Sequence, residues 1–316
     1  MSPVKVSLEC EIAGISFKNP LILASGVLGV APSSMLRLAK LGIGGITTKS
    51  VGPRPRAGYN NPSILEIDPG TLLNSVGLAN PGIDIVEQEI REIKKQTNIP
   101  LIVSVFGNGP EEYASIAQRA VEAGADAIEL NVSCPHAEVA SIGLDPELTF
   151  SYTQTVKKAI SKPLFVKLTP NIFDLRPIAK SAEKGGADAI VAINTVRALA
   201  LDIETGRPIL SHGIGGLSGT AVRPIGVRAV YEIAQAVKIP IIGCGGISTW
   251  QNVLEYIYAG ATAVQIGSAF IQGMGIIKDI TVGLTEFLTR KRCANLQELR
   301  GKAHEYTKEL QVKPQE

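Results

Sequence analysis

One short stretch of the sequence, Asn131-Val132-Ser133-Cys134-Pro135, combines three side chains that can do chemistry. The apolar run before it, residues 127–130, predicts a strand, so an amide, a hydroxyl and a thiol stand together where that strand ends. A partly ionised thiol can remove a proton, and an amide beside it can hydrogen-bond a flat, amide-like substrate. The same residues also fit a buried thiol before a proline turn. The stretch therefore predicts a base at Cys134 only in combination with other polar residues.

Short apolar runs of this kind recur along the chain and alternate with amphipathic segments that predict helices. Runs without polar alternation suit parallel strands buried on both faces. Eight βα units close naturally into a barrel whose active site lies at the carboxyl ends of the strands. The predicted fold is therefore α/β, a (β/α)8 TIM barrel, and a doubly wound open sheet is the alternative. The predicted strands are residues 21–24, 46–48, 101–105, 127–130, 164–167, 189–193, 241–243 and 263–266. The predicted helices are residues 34–41, 83–96, 113–123, 146–160, 175–184, 226–237 and 253–259.

Three segments lie outside this regular alternation. Residues 6–10 and 12–17 predict a short N-terminal β-hairpin. The connections at residues 51–81 and 197–222 are far longer than the usual link of about 4–6 residues. Long loops over the catalytic face of a barrel commonly form lids or substrate-binding walls, and we expect that role for both. No linker separates a second domain, so residues 1–316 are expected to form a single domain.

Glycine and serine follow the last two predicted strands, as Gly245-Gly246 and Gly267-Ser268. In many barrels the loops after strands seven and eight bind a phosphate group through their backbone N–H groups. Glycine allows the backbone to approach the phosphate closely. The two pairs together therefore predict a phosphate cradle at the carboxyl end of the barrel.

Two lysines, Lys49 and Lys167, stand where predicted strands end. A lysine inside the mouth of a barrel costs free energy unless it meets an anion. The candidate carboxylate in a neighbouring predicted strand is Glu129. An anionic substrate would explain Lys49, and a phosphorylated cofactor whose reduced ring is anionic would explain Lys167.

Three asparagines, Asn74, Asn131 and Asn194, occupy strand-end or loop positions, and Thr195 follows the last of them. Each amide side chain offers two donors and one acceptor oxygen, which matches the edge of a pyrimidine-dione. A single asparagine at such a place is usually a turn or cap residue. The three together predict a site for a flat ligand rich in amide groups.

The composition excludes several classes of function. Lys and Arg number 31 and Asp and Glu 29, without blocks of like charge, so no nucleic-acid or membrane surface is expected. Cys10, Cys134, Cys244 and Cys293 are far apart, which disfavours a disulfide framework, an iron–sulfur cluster or a metal site on this chain. Cys10 and Cys244 are expected to be packing residues. With no visible secretory signal and no membrane-spanning run, the predicted location is the cytoplasm.

These residues and several further segments resemble the class 1 dihydroorotate dehydrogenases, FMN-dependent (β/α)8 enzymes of pyrimidine synthesis. A Cys at the base position resembles class 1 rather than class 2. The matching segments, which span about residues 4–290 in the family's order, are Ala24-Ser25-Gly26, Thr48-Lys49-Ser50, Pro55-Arg56-Ala57-Gly58, Asn74-Ser75-Val76-Gly77-Leu78, Asn131-Val132-Ser133-Cys134-Pro135, Val166-Lys167-Leu168-Thr169-Pro170-Asn171, Ile193-Asn194-Thr195, Gly215-Gly216-Leu217-Ser218-Gly219, Gly245-Gly246-Ile247 and Gly267-Ser268.

The segment Gly77-Leu78-Ala79-Asn80-Pro81-Gly82 is similar to subclass 1B. This resemblance implies a partner subunit that carries FAD and a [2Fe–2S] cluster, with NAD as the final electron acceptor. It also implies a homodimer of this chain within a heterotetramer. The lack of a cluster motif on this chain agrees with that division of labour.

The resemblance also implies a role for each matching residue. Cys134 would be the base that removes a proton from carbon 5 of dihydroorotate, while a hydride leaves carbon 6 for FMN and orotate forms. The residues that would bind FMN are Ser25, Lys49, Ser50, Asn131, Lys167, Ile193, Gly219, Gly245, Gly246, Gly267 and Ser268. Those that would bind the substrate are Lys49, Asn74, Ser75, Val76, Gly77, Leu78, Asn131, Asn194 and Thr195.

Three departures from the family pattern keep other functions open. Ser104 replaces an Asn that usually contacts FMN, and residues 136–145 form a shorter loop with fewer glycines than usual. His136 follows Cys-Pro where Asn is common, and Ser-Cys-Pro-His also occurs in dihydropyrimidine dehydrogenases, which reduce uracil or thymine. That activity is the first alternative. A class 1A-like, fumarate-linked dihydroorotate dehydrogenase is the second, and a non-catalytic phosphate-binding barrel that acts as a scaffold or sensor is the third.

Overall fold

A computed structural model describes residues 5–132 and 142–306 of the chain, in which short strands alternate with helices. The strands are β1 (Cys10–Ile12), β2 (Ile15–Phe17), β3 (Leu21–Leu23), β4 (Gly45–Thr47), β5 (Ile64–Asp68), β6 (Thr71–Asn74), β7 (Leu101–Val105), β8 (Ala127–Asn131), β9 (Leu164–Leu168), β10 (Ala189–Ala192), β11 (Val196–Ala198), β12 (Gly215–Gly219), β13 (Ile241–Cys244) and β14 (Ala263–Ile266). The helices are α1 (Pro32–Lys40), α2 (Ile83–Gln96), α3 (Pro110–Ala123), α4 (Pro146–Ala159), α5 (Arg176–Lys184), α6 (Arg223–Ala234), α7 (Trp250–Ala259) and α8 (Ile276–Lys291).

Eight of these strands form a closed barrel in the order β10, β13, β14, β3, β4, β7, β8 and β9. Every neighbouring pair is parallel. Each residue of the eight strands is buried, as expected for strands covered by helices on one face and by the barrel interior on the other. The predicted (β/α)8 barrel is confirmed, and the open doubly wound sheet is excluded.

The first turns of several helices were predicted wrongly from the sequence. The helices α1, α3, α6 and α7 begin two or three residues before the predicted starts at 34, 113, 226 and 253, and α8 was not predicted. Proline stands in the first turn of the first three, and the side chain of Thr249 caps the last. Proline and cap residues suit a helix start because the first N–H groups lack intrahelical partners. The apolar periodicity on which the prediction was based does not register such residues.

The N-terminal hairpin exists, but its strands are shorter than predicted. The strands β1 and β2 pair in antiparallel register around a two-residue turn at Ala13 and Gly14, both with positive φ. The first strand therefore lies at residues 10–12 rather than 6–10. Ile12 and Phe17 are fully buried and belong to the same apolar cluster as the barrel interior. The hairpin therefore closes the end of the barrel where the strands begin.

The two long connections are not the loops that the sequence predicted. They supply β5, β6, β11 and β12, which form a four-stranded antiparallel sheet in the order β11, β12, β6 and β5. The sequence signal was weak because β12 contains three glycines and β5 alternates between exposed and half-buried residues. This sheet joins the connection after β4 to the connection after β10, so two distant parts of the chain are held in register.

The inside of the barrel contains two rings of side chains, because alternate residues of a strand point to opposite faces. The lower ring, near the amino ends of the strands, consists of Ile22, Gly45, Ile102, Ala127, Phe165, Ala189, Ile242 and Ala263. The upper ring lies two residues further along each segment and consists of Ala24, Thr47, Ser104, Glu129, Lys167, Val191, Cys244 and Gln265. The residues between the rings, such as Leu23 and Val166, pack against the helices instead.

Candidate active site

The upper ring contains five buried polar residues, whereas the lower ring contains none. Glu129 is fully buried and Lys167 is 3% exposed. A buried ion or polar group costs free energy unless it is paired or hydrogen-bonded. The polar members of the ring are Thr47, Ser104, Glu129, Lys167 and Gln265. This concentration at one end of the barrel marks the end at which chemistry is expected.

Gln265, Glu129 and Ser25 surround the buried ammonium of Lys167. Its Nζ donates a hydrogen bond to Oε1 of Gln265 at 2.8 Å and lies 3.4 Å from Oγ of Ser25. Oε1 of Glu129 lies 3.9 Å from the same Nζ. The amide of Gln265 in turn donates to Oε2 of Glu129 at 2.6 Å and to Oγ1 of Thr47 at 3.2 Å. The predicted meeting of Lys167 with Glu129 is therefore an ion-pair contact, with Gln265 hydrogen-bonded to both.

A second chain of hydrogen bonds crosses the mouth of the barrel. Oγ of Ser104 and Oγ of Ser50 are 2.9 Å apart, and Nδ2 of Asn131 lies 3.1 Å from the Ser50 hydroxyl. Nδ2 of Asn194 lies 3.4 Å from Oδ1 of Asn131. Tyr113, fully buried on α3, donates from its hydroxyl to the backbone carbonyl of Asn131 at 2.9 Å. Predicted residues from the ends of three strands are therefore brought together.

Lys49 stands two residues after the end of β4. In the described residues its ammonium has neither an ion-pair partner nor a hydrogen bond. The backbone N–H of Lys49 donates to the carbonyl of Gly29. The side chain is half-buried, and the pKa of the ammonium is lowered because burial disfavours the charged form. An anionic ligand beside Lys49 would offset that cost.

The four-stranded sheet brings Asn74 close to the end of β10. Residue Asn74 pairs with Gly216 of β12, and its Nδ2 donates to the Gly216 carbonyl at 3.0 Å. A β-carbon on Gly216 would lie 2.7 Å from Cβ of Thr195, so the Gly216 backbone packs directly against the Thr195 side chain. The amide oxygen of Asn194 accepts a hydrogen bond from the Thr195 N–H at 2.8 Å. These residues are far apart in the sequence, and the pairing of β6 with β12 brings them together.

The turn at residues 75–78 is held from several sides. The N–H of Ser75 donates to the Ser63 carbonyl at 2.7 Å, and the Val76 carbonyl accepts from the Tyr59 N–H at 3.1 Å. Gly77 and Leu78 both have positive φ, at +72° and +57°. A β-carbon on Gly77 would lie 2.8 Å from the Tyr59 ring, so glycine is required there on two counts.

Asn80 fixes the end of this turn, and its role was not predicted. It is buried, and its Nδ2 donates to the Leu78 carbonyl at 2.8 Å. Its Oδ1 accepts from the N–H groups of Gly52 at 3.2 Å and Gly82 at 2.9 Å. The side chain therefore joins the start of the long connection to its end. The available signal in the sequence was an asparagine between Gly77 and Gly82.

A cavity that is partly open to solvent lies where β12, β13 and β14 end. A β-carbon on Gly246, which has φ +67°, would lie 2.6 Å from the carbonyl oxygen of Gly219. Gly245 also has positive φ, and its carbonyl accepts a hydrogen bond from the hydroxyl of Tyr256 at 2.7 Å. The residues that line the cavity are Glu66, Gly70, Leu72, Gly219, Thr220, Gly246, Ile247, Ser248, Ser268, Ala269, Ile271 and Gln272. Backbone and small side chains dominate around Gly246, as in a cradle for a phosphate group.

Two predicted cofactor residues lie beside this cradle. Gly267 immediately precedes the cavity-lining Ser268, and a β-carbon there would meet the side chain of Ala24 only at an ordinary contact distance of 3.4 Å. Ile193 is buried, and its N–H donates to the Cys244 carbonyl at 2.9 Å. Close packing therefore demands glycine at Gly246 but not at Gly267.

Cys134, the predicted base, and His136 lie outside the described residues, so both roles stay predictions. Cys244 is buried and Cys10 is half-buried, and both pack against the apolar cluster of the barrel interior, as predicted. Burial raises the pKa of the Cys10 thiol to about 12 and also raises the pKa of the Cys244 thiol. Within residues 5–132 and 142–306, no group of His, Cys, Asp or Glu could hold a metal ion. None of the described helices combines the length and apolarity needed to cross a membrane.

Sequence reasoning missed several residues that support the site. Gln265, Tyr113 and Tyr256 were not singled out, and Ser104 was left out because the family usually has Asn there. The usable signal was a polar residue within an apolar strand, as in Ala-Val-Gln-Ile of β14. The two tyrosines looked like ordinary core residues, because only the fold shows that their hydroxyls reach carbonyl groups at strand ends.

Comparisons with known proteins agree with this arrangement. Residues 7–288 match the family model described as dihydroorotate dehydrogenase. The chain is 45% identical over 306 residues to the dihydroorotate dehydrogenase B (NAD(+)) catalytic subunit of Methanocella arvoryzae. The matched region covers 96% of this chain and 100% of the relative. The subunits of the same name from Methanosarcina mazei and Pyrococcus abyssi are 47% and 46% identical, each over 94% of this chain and over 96% and 99% of the relative.

A solved structure supports the fold independently. The dihydroorotate dehydrogenase of Eimeria tenella, crystallised with ferulenol, superimposes with a TM-score of 0.84 at 22% identity. The match covers 94% of this chain and 88% of that one. The family model and the relatives, which extend over nearly the whole sequence, show that this chain belongs to the dihydroorotate dehydrogenase family.

Proposed function

We propose that this chain oxidises (S)-dihydroorotate to orotate, with Cys134 as the base, FMN as the hydride acceptor and NAD as the final acceptor. The family membership supports the reaction, and the names of the relatives support the link to NAD. The observation that carries the assignment of the site is the buried Lys167 ammonium next to Ser25. It lies at the same end of the barrel as the cradle around Gly219 and Gly246.

The residues present fit FMN at this end of the barrel. The cradle is lined by the backbone at Gly219 and Gly246 and by Ser268, whose N–H and O–H groups could donate hydrogen bonds to a phosphate group. The ammonium of Lys167 supplies a buried positive charge, which suits a ring that becomes more negative on reduction. We assign the phosphate to the cradle and the ring to the space above Lys167, Ser25 and Asn131.

Four polar side chains offer groups that would suit the substrate. Dihydroorotate has a carboxylate and a ring with two amide groups. Lys49 offers a half-buried ammonium without a counter-ion among the described residues. The amides of Asn74, Asn131 and Asn194 offer both donors and acceptors for the ring edge. We propose that these four side chains hold the substrate flat, together with the backbone of residues 75–78.

In the proposed mechanism, the protein contributes proton removal, orientation and charge. The Cys134 thiolate would take a proton from carbon 5 of dihydroorotate, so that a double bond forms between carbons 5 and 6. FMN, when bound, supplies the two-electron acceptor for the hydride that leaves carbon 6. Lys49 and the asparagines would fix the substrate so that both C–H bonds are presented correctly. Proton removal by a positioned base typically contributes about 10²–10⁴-fold.

The relatives named above are catalytic subunits, which implies that a partner subunit exists. We propose that this partner carries FAD and a [2Fe–2S] cluster and passes electrons to NAD. We also propose that two copies of each subunit form a heterotetramer. Location in the cytoplasm stays a prediction from the sequence.

The NAD-linked name of the relatives favours this function over the uracil-reducing and fumarate-linked alternatives. The experiment that tests it is an anaerobic visible spectrum of the purified chain after incubation with FMN, followed by dihydroorotate. A yellow protein that bleaches with dihydroorotate supports the proposal. Bleaching by NADH is expected only after the partner subunit is added.

Three other results of this experiment would contradict the proposal. A yellow protein that ignores dihydroorotate, and is reoxidised by uracil once it has been reduced, would favour the dihydropyrimidine alternative. Reoxidation by fumarate without a partner would favour the fumarate-linked alternative. A protein that stays colourless with FMN would leave only a scaffold role.

A further inference from the structure

The proposed mechanism gives no role to Glu129, the one fully buried carboxylate among the described residues. It lies in the upper ring, between the lower apolar ring and the mouth of the barrel. Carboxylates are rarely buried completely, because removing the charge from water costs several kcal/mol that a partner must offset. A group with this cost and no assigned task is a candidate for a functional role.

The hydrogen bonds of Glu129 are unbalanced. Oε2 accepts the short hydrogen bond of 2.6 Å from the amide of Gln265. Oε1 has no hydrogen-bond partner in the described part of the chain, and the nearest positive charge is Nζ of Lys167 at 3.9 Å. A carboxylate that served only to complete a polar network would have both oxygens bonded. Glu129 instead presents one unsatisfied oxygen towards the ammonium.

Gln265 couples the two charged groups. Its carbonyl oxygen accepts from Lys167 at 2.8 Å while its amide nitrogen donates to Glu129 at 2.6 Å. The amide nitrogen also donates to Thr47, so the orientation of the side chain is determined on three sides. The position of the ammonium therefore depends on the carboxylate through a side chain that cannot rotate freely. The other titratable group facing this pair is the Cys244 thiol, whose pKa is raised by burial.

We infer that Glu129 is a positioning residue for Lys167 that also offsets part of its charge, and so sets how strongly the site favours reduced over oxidised FMN. The inference rests on the proposed assignment of the FMN ring to the space above Lys167. A negative charge near the ring disfavours the more negative, reduced form of the cofactor. Glu129 therefore moderates the preference for reduced FMN that Lys167 creates, and the bound FMN can pass its electrons on.

The test is the reduction potential of FMN bound to the full chain, measured by anaerobic equilibration with reference dyes. Glu129→Gln removes the charge and keeps the shape. We expect it to favour reduced over oxidised FMN by about tenfold more than the wild type, a rise of about 30 mV for a two-electron couple. Thr47→Val is the matched control, because it removes a hydrogen bond to Gln265 in the same ring without changing charge. It should leave the ratio within about twofold of the wild type.

Each outcome supports or overturns the inference. A rise in Glu129→Gln without one in Thr47→Val supports it. An unchanged or lower potential in a Glu129→Gln protein that binds FMN overturns it and leaves the proposed function intact. A wild-type chain that binds no FMN overturns both.

If Glu129→Gln does not fold, Glu129→Met offers a neutral side chain of similar volume, and the same rise is expected. Failure of both variants to bind FMN would assign Glu129 to the fold itself and overturn the inference.

Discussion

The lower and upper rings of the barrel interior are built on the same strands, two residues apart, and they differ sharply in chemistry. The lower ring is made of side chains such as Ile102 and Phe165, which are fully buried and apolar. The upper ring contains Glu129, Lys167 and Gln265, which are equally inaccessible to water but polar or charged. The two rings are therefore equally buried, but only the upper ring contains polar groups that need hydrogen-bond partners.

This difference indicates that the lower ring mainly stabilises the fold and that the upper ring mainly serves function. Apolar burial contributes roughly 25 cal/mol for each Å² removed from water, so the lower ring stabilises the barrel directly. Buried ions seldom do so, and the Lys167–Glu129 contact is better explained by a ligand than by folding. Substitutions in the lower ring should therefore change stability, and substitutions at the upper end should change binding or rate.

The largest expected effect is at the proposed base. Cys134→Ala should lower kcat by about 10²–10⁴-fold, because it removes the group that takes the proton. The affinity for orotate, followed by the spectral change of bound FMN, should stay within a few-fold of the wild type. Cys293→Ala, which removes a buried thiol at the end of α8, is the control and should keep its rate. A Cys134→Ala protein within tenfold of the wild-type rate would contradict the role.

The lower ring should respond in stability instead. Phe165→Ala should reduce the free energy of unfolding by about 3–5 kcal/mol, because it leaves a cavity beneath Lys167 on the same strand. Phe173→Ala is the matched control, since that ring is 95% exposed and its loss should change stability by less than about 0.5 kcal/mol. Urea unfolding measures both. A Phe165→Ala protein of wild-type stability would contradict the role of the lower ring in stabilising the barrel.

The phosphate cradle offers a sharper test of binding. Gly246→Ala should weaken FMN binding by about tenfold, as the new β-carbon would need to displace the Gly219 carbonyl. Gly206→Ala is matched in backbone strain, with φ +68° against +67°, but has no atom within 4 Å of the added carbon. Fluorescence titration with FMN should show weakening only in Gly246→Ala. Equal losses in both variants would attribute the effect to backbone strain rather than to the cradle.

The smallest effect expected is in pH dependence. Because burial lowers the pKa of Lys49, its ammonium loses a proton at a lower pH than an ordinary lysine would. An anionic ligand is attracted only to the protonated form, so orotate should bind more weakly as the pH rises through that pKa. The loss should reach about fivefold, the strength of a partly exposed ion pair. Lys49→Met should bind orotate weakly at every pH, and an unaltered pH profile in this variant would contradict the role.

The sequence predicted the barrel because eight apolar runs without alternation are a strong signal for parallel strands. It predicted the strand-end residues for the same reason, since Ser25 and Asn194 follow such runs directly and Lys167 is the last residue of one, although the structure places Lys167 within β9. The four-stranded sheet escaped because β12 is rich in glycine, and its strands pair across 142 residues between Asn74 and Gly216. Pairing at that separation leaves no local pattern. The prediction of a single domain over residues 1–316 stays untested.

By itself, the sequence determined the alternation of strands and helices, the polar residues at the strand ends and the resemblance to the dihydroorotate dehydrogenases. Those features depend on local periodicity and on motifs that are contiguous in the chain. Only the tertiary structure decided that Glu129, Lys167 and Gln265 share one buried network, and that Asn74 and Thr195 both lie beside Gly216. The physical reason is that side chains meet inside a closed barrel when they lie at similar heights along its axis. Strand register sets those heights, and distance along the chain does not.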